Sequence, residues 1–189
     1  MKKIIPNILS ISRIPLGIFF FLTFLTDSFN PLLPLVILLV SMMTDFFDGF
    51  LARKLNIVSE PGKWLDPISD FLFYFIVYLS FFLREVMPLV FFILFLTREF
   101  IMYTIIRPLY VKNHFEVSAK LPGKIKTAFN GVGVLIIILL SIGWKWGFIN
   151  TELFNTCALI IFCIVIPYSF VSLYWYIRVF FVKNNGKTS

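Results

Sequence analysis

The chain has 189 residues, of which 59% are hydrophobic, 25 are Phe and only 14% are charged, with a mean hydropathy of +0.92. Soluble domains carry about 25% charged residues, so this composition excludes one and indicates an all-α integral membrane protein. The net charge of +7 does not indicate nucleic acid as a partner, because the basic residues form no continuous tract.

The length accommodates six spans of about 20 residues with short loops and no separate soluble domain, so residues 1–189 read as one membrane domain. At the N-terminus, Ile4, Ile5, Ile8 and Leu9 form an apolar stripe beside Lys2 and Lys3, which predicts a short amphipathic interfacial helix over 1–13. The apolar run continues through Phe19, Phe20 and Phe21 without a small-residue cleavage pattern, which argues against a signal peptide.

Six transmembrane helices are predicted at about 13–25, 33–53, 63–83, 86–110, 123–142 and 153–182. Asp27, Ser28, Asn30, Pro31 and Pro34 mark the first turn, and Asn56, Ser59, Glu60, Pro61 and Gly62 break the chain between the second and third spans. With the N-terminus in the cytoplasm, 14 Lys and Arg fall on the cytoplasmic side, Arg84 and Lys145 fall outside, and Arg98 is left inside the bundle. The positive-inside rule selects that orientation. Cys157 and Cys163, six residues apart on different faces of the last helix, read as packing or lipid-facing residues, and His114 as a solvated loop residue.

Four aspartates interrupt the apolar runs in the pattern Asp45-x-x-Asp48-Gly49-x-x-Ala52-Arg53-x8-Gly62-x3-Asp66-x3-Asp70. Each would cost about 2.5–3.5 kcal/mol at the centre of a lone membrane helix, so together they require a cation or substrate. Asp45 and Asp48 are three apart on the second span and Asp66 and Asp70 four apart on the third, so each pair shares a helix face. Hard oxygen donors of this kind suit Mg²⁺ or Mn²⁺, which also hold substrate phosphates. Gly49 and Gly62 remove side chains next to the acids, and the Arg53 fork has the geometry to hold a phosphate there. Ion pairing with Arg53, Lys54 and Lys63 would account for the charges but not for two glycines and an Ala-Arg at fixed offsets. A cation channel or carrier is the reading from a different class, but an ion path has little use for an adjacent arginine.

This string resembles the signature of the CDP-alcohol phosphatidyltransferase family, membrane enzymes that move a phosphatidyl group from CDP-diacylglycerol to an alcohol and release CMP. The resemblance implies Asp45, Asp48 and Asp66 as core metal ligands, with Asp70 as base and ligand to any second ion. It also implies that Asn7, Asp48, Gly49, Ala52, Arg53 and Gly62 contact CDP-diacylglycerol. It implies Mg²⁺ or Mn²⁺, one or two ions, and a homodimer.

Three further stretches are similar to the phosphatidylglycerophosphate synthase branch, whose acceptor is sn-glycerol 3-phosphate: Ile5 to Arg13, Arg98-Glu99 with Arg107, and Gly123 to Thr127. Arg98, Arg107, Lys124 and Lys126 are accordingly expected to bind the acceptor phosphate, and cations beside an acidic metal site also suit an anionic acceptor on physical grounds. Anchoring at the cytoplasmic surface is the alternative for Lys124 and Lys126. Phe71 stands where that branch commonly has Lys, and Ser69 where it has Ala. Cardiolipin synthase and inositol-phosphate transferase of the same family remain alternatives. The branch places the protein in a bacterial inner membrane, with the N-terminus and active site facing the cytoplasm.

Overall fold

The computed structural model describes residues 4–26, 30–54, 62–113 and 121–185, with side chains described over 10–26, 30–45, 47, 67–113, 123 and 125–182. Asn7, Asp48, Gly49, Ala52, Arg53, Gly62, Asp66 and Lys124 have helical backbone, but their side chains lie outside the described residues, as does all of His114. The helices are α1 (Ile4–Leu25), α2 (Leu32–Lys54), α3 (Gly62–Leu83), α4 (Leu89–Ile101), α5 (Arg107–Lys112), α6 (Leu121–Lys145) and α7 (Thr151–Asn185). A π-helical turn, Met102–Ile106, joins α4 to α5. No strand occurs among the described residues.

Leu89–Lys112, Ile125–Lys145 and Thr151–Val182 are long and apolar enough to cross a bilayer, and Ser10–Leu25, Leu32–Asp45 and Pro67–Leu83 are shorter apolar helices. Helices satisfy their own backbone polar groups, which is what long lipid-facing segments demand. Ile18, Phe19, Val90, Phe100 and Phe181 point outward, as expected of side chains bathed in acyl chains.

Local chemistry sets the helix ends. Asn30 Oδ1 accepts from the Leu32 amide at 3.1 Å, and Asn150 Oδ1 from the Leu153 amide at 2.8 Å, each capping a first turn. After α6 the chain reverses at Gly147, whose φ of +77° suits glycine, with Phe148 N–H bonded to Gly143 O at 2.9 Å. The π turn falls just before Pro108, whose missing N–H interrupts the regular hydrogen-bond ladder.

The separate interfacial helix expected over 1–13 is not a distinct element, because α1 runs unbroken from Ile4 to Leu25 through Pro15. The reason lies in Ser10 and Arg13, which are buried: this part of α1 packs into the bundle. The apolar run expected as one regular helix over 86–110 instead contains the π turn.

α1 packs against α2 and α3, α6 against α7, α2 against α6, and α4 against α3 and α7. Aromatic rings fill the centre, with Phe24 at 5.1 Å from Phe81 and Tyr78 edge-on to Phe95 at 4.7 Å between centroids. Close approach of α6 to α7 depends on Gly133, where a Cβ would sit 2.9 Å from Val165 Cγ2 and 3.2 Å from Ile161 Cγ2. The packing of α1 on α2 and α3 brings three polar positions, one from each helix, to a common point.

Candidate active site

That point is Arg13. Its Nη2 donates to Asp45 Oδ1 at 2.7 Å, and its Nη1 donates to Asp70 Oδ1. The guanidinium is 2% exposed, whereas the carboxylates are 49% and 32% exposed, so the cation forms a floor beneath two acids that face outward. Ser10, Ser41 and Ser69, one from each helix, are buried near the same junction in sequence.

The structure brings Asp45 and Asp70, one acid from each of the two pairs, to one guanidinium. Two carboxylates from separate helices lie no further apart than one guanidinium fork can span. Hard oxygen donors this close fit a small divalent cation. Asp48 follows Asp45 by three residues on α2, and Asp66 precedes Asp70 by four on α3, so the backbone keeps all four within one turn of the pair. Among the described residues no cluster of three or more His, Cys, Asp or Glu forms.

A second ionic centre lies between α4, α6 and α7. Glu99 Oε1 accepts from Arg98 Nη1 at 2.8 Å and from Lys126 Nζ at 2.5 Å, while Arg98 Nε donates to the Ser169 carbonyl at 3.2 Å. Both Arg98 and Glu99 are buried. Arg98 and Lys126, both expected at an acceptor phosphate, thus share the Glu99 carboxylate.

Arg107 opens α5, directly after the π-helical turn. Its guanidinium sits 4.7 Å above the Tyr103 ring, and its Nε is buried with no hydrogen-bond partner among the described residues. The Tyr103 ring in turn lies 5.4 Å from Phe71, and its hydroxyl donates to the Pro67 carbonyl on α3. Phe71, the departure from lysine noted in the sequence, is therefore a packing residue against Phe75, Phe95 and Tyr103.

The sequence profile described as CDP-alcohol phosphatidyltransferase matches residues 3–166. The chain belongs to the CDP-alcohol phosphatidyltransferase family. It is 38% identical over 145 residues, 73% of this chain and 77% of the relative, to a CDP-diacylglycerol–glycerol-3-phosphate 3-phosphatidyltransferase of Aquifex aeolicus. A protein of the same name from Rickettsia prowazekii is 31% identical over 144 residues, 76% of this chain and 79% of that one. A cardiolipin synthase (CMP-forming) from Streptomyces coelicolor is 31% identical over 146 residues, 75% of this chain and 67% of that one.

Within this CDP-alcohol phosphatidyltransferase, two site residues escaped sequence reasoning. Arg13 was counted among the cytoplasmic cations and as the end of the Ile5 to Arg13 stretch, although a charge inside an apolar helix also calls for a partner. Tyr103 lies in an apolar run and carries no local mark.

Proposed function

We propose that this protein transfers the phosphatidyl group of CDP-diacylglycerol to the 1-hydroxyl of sn-glycerol 3-phosphate, forming phosphatidylglycerophosphate and CMP. The observation that carries the proposal is the meeting of Asp45 and Asp70, from two helices of the family signature, on one buried guanidinium. Family membership and the names of the bacterial relatives support the choice of reaction.

Asp70 takes the proton of the acceptor hydroxyl as its oxygen attacks the phosphatidyl phosphorus, and the pyrophosphate P–O bond breaks with its electron pair leaving on CMP. Asp45, Asp48, Asp66 and Asp70 would hold Mg²⁺ or Mn²⁺, one ion or two. When bound, such a cation offsets the negative charge of the pyrophosphate and of the departing CMP. Asn7, Asp48, Gly49, Ala52, Arg53 and Gly62 are assigned to the CDP moiety, Arg53 as its phosphate fork.

Arg107, whose buried Nε has no hydrogen-bond partner among the described residues, is the leading ligand for the acceptor phosphate. Arg98, Lys124 and Lys126 complete a cationic wall, with Glu99 holding Arg98 and Lys126 in place. Six spans, a homodimer, membrane lipid as surroundings and a cytoplasm-facing site at a bacterial inner membrane complete the proposal.

Incubating the purified protein with labelled glycerol 3-phosphate and CDP-diacylglycerol tests the proposal. The expected result is a lipid product that requires Mg²⁺ or Mn²⁺; no metal-dependent product would refute it. The match to a cardiolipin synthase favours phosphatidylglycerol as the second candidate acceptor. Glycerol 3-phosphate, phosphatidylglycerol and inositol phosphate competing in one assay separate the readings, and glycerol 3-phosphate is expected to dominate.

A further inference from the structure

Arg13 holds one oxygen of each of two carboxylates assigned above to a divalent ion. One nitrogen of its fork takes Asp45 Oδ1 at 2.7 Å and the other takes Asp70 Oδ1, and the guanidinium is 2% exposed. A buried arginine cannot shed its charge, because its pKa lies far above any working pH. It also cannot leave the junction cheaply, since α1 packs against both α2 and α3 and Arg13 is buried. The cation that neutralises the acids is therefore permanent and covalently part of the chain.

We propose that Arg13 is a resident counter-cation that competes with the divalent ion for Asp45 and Asp70, so that metal loading requires the guanidinium to give up part of its grip. This inference rests on the metal reading proposed above. Two consequences follow from the chemistry. The guanidinium keeps two carboxylates from repelling each other across the helix junction, and it weakens the site's hold on the ion by placing a positive charge beside it. A site tuned in this way binds its cation loosely enough to exchange it, with the remaining coordination left to substrate phosphates.

Competition and scaffolding predict opposite signs. If Arg13 merely shapes the site, removing it weakens metal binding; if it competes, removing its charge tightens metal binding. The test uses purified full-length protein in detergent without CDP-diacylglycerol. Binding of Mn²⁺ is followed by loss of the free-ion signal in electron paramagnetic resonance, and Mg²⁺ by its displacement of Mn²⁺.

Arg13→Gln is expected to bind Mn²⁺ about tenfold more tightly than wild type, as removal of an adjacent unit charge implies. Arg13→Lys, whose single ammonium lacks the fork needed to bridge both acids, is expected to tighten binding about threefold. It decides the matter alone if the glutamine variant does not fold. Unchanged or weaker Mn²⁺ binding in a folded variant, beside measurable binding in wild type, overturns the inference and leaves the metal reading standing. No Mn²⁺ or Mg²⁺ binding by wild type overturns both.

Discussion

The Tyr103 hydroxyl donates to the carbonyl oxygen of Pro67, tying the π-helical turn to α3 one residue beyond Asp66. The same ring carries Arg107 on its face at 4.7 Å. One aromatic side chain thus couples the helix bearing the carboxylates to the cation assigned to the acceptor. Replacing Tyr103 by Phe keeps the ring and loses the hydrogen bond, with an expected loss of about 1 kcal/mol in stability. Tyr103→Leu also loses the ring beneath Arg107, adding about 0.5–1 kcal/mol. Thermal unfolding in detergent ranks the two, and in turnover assays only Tyr103→Leu is expected to raise the KM for glycerol 3-phosphate markedly.

Glu99 pairs with two cations at once, so its loss and theirs are not equivalent. Glu99→Gln leaves Arg98 and Lys126 facing each other in a buried site and is expected to cost about 3–5 kcal/mol. Lys126→Met leaves the Arg98–Glu99 pair intact and is expected to cost less. Unfolding temperatures of the two variants under matched conditions check the order.

Asp70→Asn removes the assigned base while keeping the side chain's size. Turnover is expected to fall by at least about 100-fold, the lower range for loss of a general base. Binding of CDP-diacylglycerol is expected to survive in large part. Asp66→Asn, by contrast, is expected to impair cation binding itself. Product formation together with Mn²⁺ binding for each variant distinguishes the two roles, and near-normal turnover in Asp70→Asn would remove Asp70 as base.

The approach of α6 to α7 gives a prediction independent of chemistry. At Gly133 an added Cβ would meet Val165 Cγ2 at 2.9 Å, so Gly133→Leu is expected to destabilise by about 1–3 kcal/mol through overpacking. At Gly17 the nearest atom is the mobile end of Ile76, at 3.1 Å, and Gly17→Ala is expected to be milder. Thermal unfolding of both variants supplies the comparison.

Part of the arrangement was legible because helical spacing is local. Asp45 and Asp70 belong to pairs whose offsets announce a shared face, and the structure brings one member of each pair to the same guanidinium. Arg98 drew notice through the resemblance, and its partner in the structure is the neighbouring Glu99. The part played by Arg13 was not legible, because its partners lie 32 and 57 residues away and only the packing of α1 brings them together. Lys126 was read as free for phosphate because nothing local says that α6 delivers it to Glu99, 27 residues earlier. The π turn escaped because the residues Met102–Ile106 are as compatible with a regular helix.

Placing Arg13 under acids that arrive later in the chain also bears on biogenesis. When α1 enters the bilayer its guanidinium has no carboxylate; α2 supplies one and α3 the other. A chain stalled before α3 therefore keeps a poorly compensated charge among lipids, so full neutralisation of Arg13 requires that its first three helices be inserted together.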